Sequence, residues 1–193
     1  MDHHQLLPWI TLSTEVLGRY PIFELSRSRQ RSPLSGREHS FLRLDCPDWV
    51  NVIAVTDNGM MVLIEQYRHG TDDMTLEIPG GAVDPGEDPR TSAARELEEE
   101  TGYLAAELIE IGVVEPNPAF LSNRCWTYLA LGCREDGTTH FDPSEEIAVS
   151  VAPVRDFARL IDDGAITHSL VICAFDHLQR GIRRGADWTA KLP

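Results

Sequence analysis

The segment from Gly80 to Tyr103 restricts the fold more than any other part of the sequence. It reads GGAVDPGEDPRTSAARELEEETGY, and glycine and proline interrupt its first half. Those residues favour a loop, whereas the Ala, Glu, Arg and Leu residues of Arg90–Thr101 favour an α-helix. Gly102 lies where a left-handed residue commonly ends a helix. The sequence therefore predicts a glycine-rich loop followed directly by a helix of about three turns.

One face of this predicted helix is acidic. At about 100° per residue, the side chains of Glu96, Glu99 and Glu100 fall within an arc of roughly 100°. Their mutual repulsion destabilises an isolated helix, but a hard cation such as Mg²⁺ prefers such oxygen ligands. Arg95 precedes Glu99 by four residues and can hold its carboxylate, while Glu87 in the loop can approach the same cation. The alternative is an ordinary helix face exposed to solvent.

The overall charge bears on the substrate. The chain has 31 acidic residues against 17 Lys and Arg, a formal net charge of −14. Such a surface repels phosphate backbones, so we expect no general nucleic-acid binding. If the substrate is itself an anion, a divalent metal ion is the obvious group to lie between it and the protein.

Signals for a membrane or for secretion are missing. The longest apolar runs, such as Met60–Ile64, are far shorter than the ~18 residues of a spanning helix. Met1–Leu12 lacks the charged start and apolar stretch of a signal peptide. We therefore expect a cytoplasmic protein with no membrane partner. The cysteines lack CxxC spacing, which argues against a zinc site, and we expect them to be free thiols in a reducing compartment. They are Cys46, Cys125, Cys133 and Cys173.

Strand and helix patterns alternate irregularly along the rest of the chain. Asn58-Gly59 separates the apolar runs Val50–Val55 and Met60–Tyr67, which predicts a β-hairpin. The mixture predicts an α/β or α+β fold. Further strands are predicted at Thr75–Ile78, Leu108–Val114, Cys125–Leu131 and Ile147–Val151, and further helices at Pro153–Asp163 and Ser169–Arg183.

Residues 1–46 differ from the rest. Short apolar pieces flank a basic, Ser-rich stretch at Ser26–Arg37. We interpret them as a few strands joined by a polar loop, forming an edge sheet or a dimerisation element. The expected organisation is this β-strand region over residues 1–46 and one larger domain over 47–193. The apolar pieces are Trp9–Leu12, Tyr20–Leu25 and Phe41–Leu44.

A spaced pattern runs through the loop and the acidic helix. It consists of Gly81, five residues, Glu87, seven residues, then Arg95-Glu96-Leu97-x-Glu99-Glu100-x-Gly102-Tyr103. This pattern resembles the Nudix box, the signature of the Nudix hydrolase family, although Tyr103 stands where the family usually has an aliphatic residue. The resemblance implies an α/β/α sandwich with a mixed sheet. It also implies Mg²⁺- or Mn²⁺-dependent hydrolysis of a nucleoside diphosphate linked to another group.

The same resemblance implies roles for individual residues of the box. Arg95 would orient the carboxylates, and Glu87 would pair with the helix and fix the loop. Glu99 would either bind the metal or position the other ligands. The full set of expected metal ligands is the Gly80 carbonyl with Glu96, Glu99 and Glu100.

Two motifs before the box resemble the ADP-ribose and nucleoside diphosphate sugar branch of the family. They are Ile64-Glu65-Gln66-Tyr67-Arg68-His69 and Leu76-Glu77-Ile78-Pro79-Gly80-Gly81. In that branch a strand ending in QYR supplies an arginine to the substrate phosphates, which implies this role for Arg68. A surface salt bridge is the alternative. Glu77 would contact the substrate or support the groups that do, unless it is only a charge at a strand end.

The segment after the box carries a further resemblance. Pro118 lies fifteen positions after Tyr103, and a proline near that offset is associated with ADP-ribose pyrophosphatases, although the usual Pro-Gly pair is absent. Arg124, like the neighbouring Asn117 and Asn123, could contact the sugar or its phosphate. An ordinary proline-rich loop is the alternative.

An acidic stretch, Asp142-Pro143-Ser144-Glu145-Glu146-Ile147-x-Val149, resembles the loop that carries the general base or an extra metal ligand in the family. Typical members have Glu-x-Glu before the strand, but Pro143 replaces the first acid in this chain. Glu145 is therefore the expected general base. Glu146, Asp142 and Glu99 are alternatives, and so is a solvated turn without a catalytic role.

Together these features predict a cytoplasmic, Mg²⁺-dependent Nudix pyrophosphatase. It would cleave ADP-ribose or a related nucleoside diphosphate sugar to a nucleoside monophosphate and a sugar phosphate. Members of this branch often form homodimers with swapped N-terminal strands, and residues 1–46 have a suitable length. Two alternatives remain. One is hydrolysis of NADH, coenzyme A or an oxidised nucleotide, and the other is a non-catalytic module that binds a nucleotide sugar.

Overall fold

The computed structural model describes residues 6–140 and 146–193, and the chain divides into two compact units. The first comprises the described part of Met1–Pro47 together with Glu115–Asn123. The second comprises Asp48–Val114 and Arg124–Pro193, within the described ranges. The boundary predicted from the sequence lies after residue 46, one position before the division between Pro47 and Asp48. We call these the N-terminal unit and the central unit.

The N-terminal unit contains a three-stranded antiparallel sheet. Its strands are β1 (Ile10–Tyr20), β2 (Phe23–Arg31) and β3 (Glu38–Asp45), in that spatial order. The interpretation of Ser26–Arg37 as a loop was therefore wrong for its first half, which lies in the central strand β2. The reason is a period-two alternation. Ser26 and Ser28 are buried on one face, while Arg27 and Arg29 are exposed on the other.

The central unit is built on a mixed sheet. Its strands are β4 (Trp49–Thr56), β5 (Met60–Arg68), β6 (Asp73–Glu77), β7 (Glu107–Val114), β8 (Cys125–Cys133) and β9 (Ile147–Pro153). Their order is β6-β5-β4-β8-β7, with β9 paired to β5. The β4–β8 pair is parallel and the others are antiparallel. The predicted hairpin between β4 and β5 is confirmed, and Gly59 in its turn has a φ of 76°.

Helices cover both faces of this sheet. They are α1 (Pro89–Thr101), α2 (Phe157–Asp162) and α3 (Ser169–Arg184), with short 3-10 turns at Val154–Asp156 and Asp187–Lys191. Leu97 of α1 packs with Val52 and Val62 on one face. Phe157 of α2 and Ala174 of α3 pack with strand residues on the other face. The central unit is therefore the expected α/β/α sandwich.

This layering explains the apolar strands. All six residues from Val50 to Val55 are buried, because a strand between two helical layers has no solvent-facing side. Within the described ranges, the structure contains no helix with the length and apolar character needed to cross a membrane.

Candidate active site

Helix α1 carries the residues of the acidic pattern and has well-defined ends. It starts after Asp88, whose Oδ1 accepts a hydrogen bond of 2.8 Å from the backbone N–H of Arg90. Pro89 occupies the first turn, where its missing N–H costs nothing. Gly102 ends the helix with a φ of 70°. The helix predicted from sequence is confirmed within one residue.

Arg95 is the centre of a carboxylate network on this helix. Its Nη1 donates to Glu96 Oε1 at 2.8 Å and to Glu99 Oε2 at 2.9 Å. Its Nη2 donates to Glu87 Oε2 at 3.1 Å and to the carbonyl of Ala82, also at 3.1 Å. The hydrogen bonds that Arg95 donates to Glu87 and Glu99 keep the pKa of Arg95 above its usual range. One guanidinium thus joins the helix to the loop.

Glu87 is held from a second side by a residue that the sequence did not identify. The buried hydroxyl of Ser92 donates to Glu87 Oε2 at 2.5 Å. Hydrogen bonds from Arg95 and then Ser92 lower the pKa of Glu87, so this carboxylate stays ionised. A small hydroxyl residue in the first turn of a helix is common, and nothing in the sequence distinguished this one.

The glycine loop lies directly against the helix carboxylates. The backbone N–H of Gly80 donates to Glu100 Oε2 at 2.8 Å, and the Glu100 residue is only 4% exposed. A Cβ atom at Gly81 would lie 2.5 Å from Cδ of Glu96 and 2.6 Å from both of its oxygens. A side chain at this position would therefore displace the Glu96 carboxylate, which is the flexible end of its side chain. Backbone hydrogen bonds between Gly81 and Val50 fix the loop to the sheet.

The donor set of this region suits a hard divalent cation. Four carboxylates and one guanidinium leave a formal excess of three negative charges, and all donors are oxygens. In the described part of the chain, no three Asp, Glu, His or Cys side chains converge closely enough to form a ready metal site. Glu96 and Glu99 are turned towards Arg95 instead. The four carboxylates are Glu87, Glu96, Glu99 and Glu100.

A second ionic contact lies on neighbouring strands. Arg68 at the end of β5 donates from Nε to Glu77 Oε1 and from Nη2 to Glu77 Oε2, both at 2.7 Å. The Glu77 side chain is only 3% exposed and that of Arg68 is 40% exposed. Arg68 therefore forms an ion pair whose acidic partner is buried and whose guanidinium is partly exposed. Burial raises the pKa of Glu77, but hydrogen bonds from Arg68 and Thr75 outweigh it and lower the pKa overall.

Backbone contacts place Arg124 near the glycine loop. Its carbonyl accepts from the N–H of Trp49, and Trp49 pairs with Ala82 in an isolated bridge. The Arg124 side chain is exposed. Pro118 belongs to the N-terminal unit, within Glu115–Asn123, so the carboxylate network of the central unit forms without it.

The expected general base is not part of the described structure. Glu145 and its alternative Asp142 lie outside the described residues. Glu146 is exposed and precedes β9. Among the alternatives, Glu99 is the one seen in the network, where it contacts Arg95.

Comparisons with known proteins agree with this geometry. A family model described as NUDIX domain matches residues 47–175. The chain is 33% identical over 135 residues to an ADP-ribose pyrophosphatase of Bacillus subtilis (strain 168), covering 69% of this chain and 72% of that protein. It is 32% identical over 164 residues to an ADP-ribose pyrophosphatase of Mycobacterium tuberculosis (strain ATCC 25618 / H37Rv), covering 84% and 79%.

Structural similarity extends further along the chain. A crystal structure of an ADP compounds hydrolase superposes with a TM-score of 0.83 over 95% of this chain and 98% of the other, at 21% identity. At that identity the likeness concerns the fold. The family match over more than half of the chain, together with relatives above 30% identity, shows that the chain belongs to the NUDIX domain family.

Proposed function

We propose that this Nudix hydrolase cleaves the pyrophosphate bond of ADP-ribose or of a related nucleoside diphosphate sugar, releasing a nucleoside monophosphate and a sugar phosphate. The observation that carries the proposal is the network in which Arg95 joins Glu87, Glu96 and Glu99 beside the glycine loop. The similarity to the ADP-ribose pyrophosphatases of Bacillus subtilis and Mycobacterium tuberculosis supports the choice of substrate.

The chemistry depends on a divalent metal, for which Mg²⁺ is the proposed ion and Mn²⁺ a substitute. When bound, such an ion neutralises the diphosphate, polarises phosphorus and lowers the pKa of a bound water. The proposed ligands are the three helix carboxylates and the carbonyl of Gly80. Arg95 orients two of those carboxylates, and Glu87 with Ser92 anchors Arg95 from the loop side. The carboxylates are Glu96, Glu99 and Glu100.

The proton of the attacking water needs an acceptor, and Glu145 is the proposed general base on the sequence pattern alone. A carboxylate in this role contributes about 10²- to 10⁴-fold to the rate. Glu145→Gln should therefore lower kcat by roughly that factor. An unchanged rate would transfer the role to Glu146, Asp142 or Glu99.

The substrate phosphates are proposed to bind Arg68. It lies on β5 with its guanidinium held by a buried carboxylate, and Arg is well suited to bidentate phosphate contacts. Arg124 and Pro118 are proposed to contact the sugar of the substrate or its phosphate. This part rests on the family resemblance.

The proposed setting is a cytoplasmic homodimer. Free cysteines throughout the described chain suit a reducing compartment. The N-terminal unit is the proposed dimerisation element, because several of its large apolar side chains are exposed. They include Trp9 at 42%, Val16 at 44% and Phe41 at 44%. Sedimentation equilibrium would test the proposed homodimer, and the mass of a monomer at micromolar concentration would contradict it.

A substrate panel tests the activity. The purified protein would be incubated with Mg²⁺ and separately with ADP-ribose, GDP-mannose, UDP-glucose, NADH, coenzyme A and 8-oxo-dGTP, with products resolved by chromatography. We expect AMP and ribose 5-phosphate from ADP-ribose at the highest rate. A faster reaction with NADH, coenzyme A or 8-oxo-dGTP would assign another Nudix activity. Tight binding of ADP-ribose without turnover, with Mg²⁺ or Mn²⁺, would favour the non-catalytic binding module.

A further inference from the structure

The carboxylate of Glu77 is fully engaged inside the protein. Its Oε1 accepts from Arg68 Nε at 2.7 Å and from Thr75 Oγ1 at 2.6 Å, and its Oε2 accepts from Arg68 Nη2 at 2.7 Å. The Glu77 side chain is 3% exposed. A group so deeply buried has almost no surface on which a substrate could lie.

Strand register explains how these three side chains meet. In the β5–β6 pair, Gln66 lies opposite Thr75 and Ile64 lies opposite Glu77. Because side chains alternate along a strand, Arg68, Thr75 and Glu77 point to one face of the sheet. Val62 shares that face by the same alternation, and it packs with Leu97 of α1. The three side chains therefore lie on the sheet face that carries the acidic helix.

We propose that Glu77 and Thr75 are positioning residues that hold the Arg68 guanidinium in the orientation in which it binds a substrate phosphate. This inference rests on the proposed function. The Glu77 carboxylate accepts hydrogen bonds from Nε and Nη2 on one edge of the Arg68 guanidinium. The opposite edge, which carries Nη1, therefore points away from the buried carboxylate. Thr75 in turn fixes Glu77, since its hydroxyl donates to the oxygen that also accepts from Arg68 Nε.

The energetic reason is preorganisation. An arginine side chain has many rotamers, and ordering it only when the ligand arrives reduces affinity. A bidentate contact to a buried carboxylate orders it beforehand. The neighbouring imidazole of His168, at the start of α3, does not compete as a cation near neutral pH, because burial lowers its pKa.

A double-mutant cycle tests whether Glu77 acts through Arg68. The enzyme variants are E77Q, R68A and R68A/E77Q, measured for KM and kcat with ADP-ribose. We expect E77Q to raise KM about tenfold with kcat changed less than about threefold, since ground-state phosphate binding is lost. In the R68A background, E77Q should change KM by less than about twofold. Equal penalties in both backgrounds would mean that Glu77 contacts substrate itself and would overturn the proposal.

Thr75→Val keeps the inference testable if R68A or E77Q does not fold, because it leaves both charges in place. We expect T75V to raise KM about threefold at constant kcat. If T75V has the KM of the wild type, Thr75 does not help to orient Arg68 through Glu77, and the proposal is overturned. Glu65→Gln, the same change at an exposed position of β5, is the matched control and should leave KM unchanged.

Hydrolysis by the wild-type protein and the effect of the variants on ADP-ribose binding can be measured separately. If the wild-type protein hydrolyses nothing in the panel, the proposed function fails. The positioning role is then read from the Kd of ADP-ribose by calorimetry in the presence of Mg²⁺, with the same variants. A Kd that T75V and E77Q leave unchanged, or an absence of binding by the wild type, would overturn the positioning role as well.

Discussion

One ion pair of the N-terminal unit and the Arg95 network of the central unit differ in how far solvent reaches them. In the N-terminal unit, Arg27 lies 3.5 Å from Glu15, with the side chains 50% and 67% exposed. In the central unit, Arg95 is 27% exposed and contacts Glu87 and Glu96 at 17% and 14%. Exposed pairs are screened by water and contribute little to stability, whereas a shielded network holds its members in one geometry.

This difference shows why ion pairs alone do not locate a functional site. Both units contain several of them. Among the pairs of the described residues, those of Arg95 lie next to a glycine loop in which a Cβ atom at Gly81 would meet the Glu96 carboxylate. Burial and close backbone approach therefore distinguish the candidate site from the exposed ion pairs, and the following substitutions test that contrast.

The largest effect is expected at Glu100, the buried helix carboxylate that accepts a hydrogen bond from Gly80. Glu100→Gln should lower kcat for ADP-ribose by more than ~100-fold, because it removes a proposed metal ligand. The glutamine oxygen can still accept the hydrogen bond from the N–H of Gly80, so Tm should change little. Steady-state kinetics and a circular-dichroism melt check both statements. Activity within about tenfold of wild type would show that Glu100 does not bind the metal.

An intermediate effect is expected where the loop meets the helix. Gly81→Ala should lower kcat by about tenfold, since the added Cβ would displace the Glu96 carboxylate. Gly70→Ala is the matched control, because nothing lies within 4 Å of a Cβ at that position. If both variants retain wild-type kcat under saturating Mg²⁺ and ADP-ribose, the close approach of Gly81 has no catalytic importance.

The smallest effect is expected in the N-terminal unit. Glu15→Gln should change the free energy of unfolding by less than about 0.5 kcal/mol, because its partner Arg27 is half exposed. Urea denaturation at two protein concentrations measures this change in the free energy of unfolding. A cost above about 1 kcal/mol would contradict the description of this pair as solvent-screened, and a cost that depends on concentration would locate it in a dimer contact.

Some elements were predictable because their signals are local. Helix α1 and the β4–β5 hairpin depend on glycine, proline and side-chain periodicity within a few residues. The Nudix pattern likewise fixed which glutamates belong together, and Arg95 was expected to hold Glu99 from a four-residue spacing.

Other contacts were not visible in the sequence because their partners come from different elements. Ser92 meets Glu87 only after the loop folds back on α1. Residues 26–31 of β2 were predicted as a loop, since this stretch lacks the β-branched and aromatic residues typical of strands and its neighbours β1 and β3 supply the hydrogen bonds. Glu115–Asn123 joins the N-terminal unit through backbone hydrogen bonds from Leu44 to Phe120 and from Ser122 to Leu44.

The sequence by itself determined the mixture of strands and helices and the identity of the acidic side chains, because spacing and periodicity are properties of the chain. The family and the sandwich fold were implied by the resemblance of that spacing to the Nudix box. Only the tertiary structure decided which of those charges are shielded and what each one contacts. Glu77 is an example. Its sequence position allowed substrate contact, but burial on a sheet face with Arg68 and Thr75 commits its oxygens to the protein. Burial depends on what packs around a side chain, and distant parts of the chain supply those neighbours.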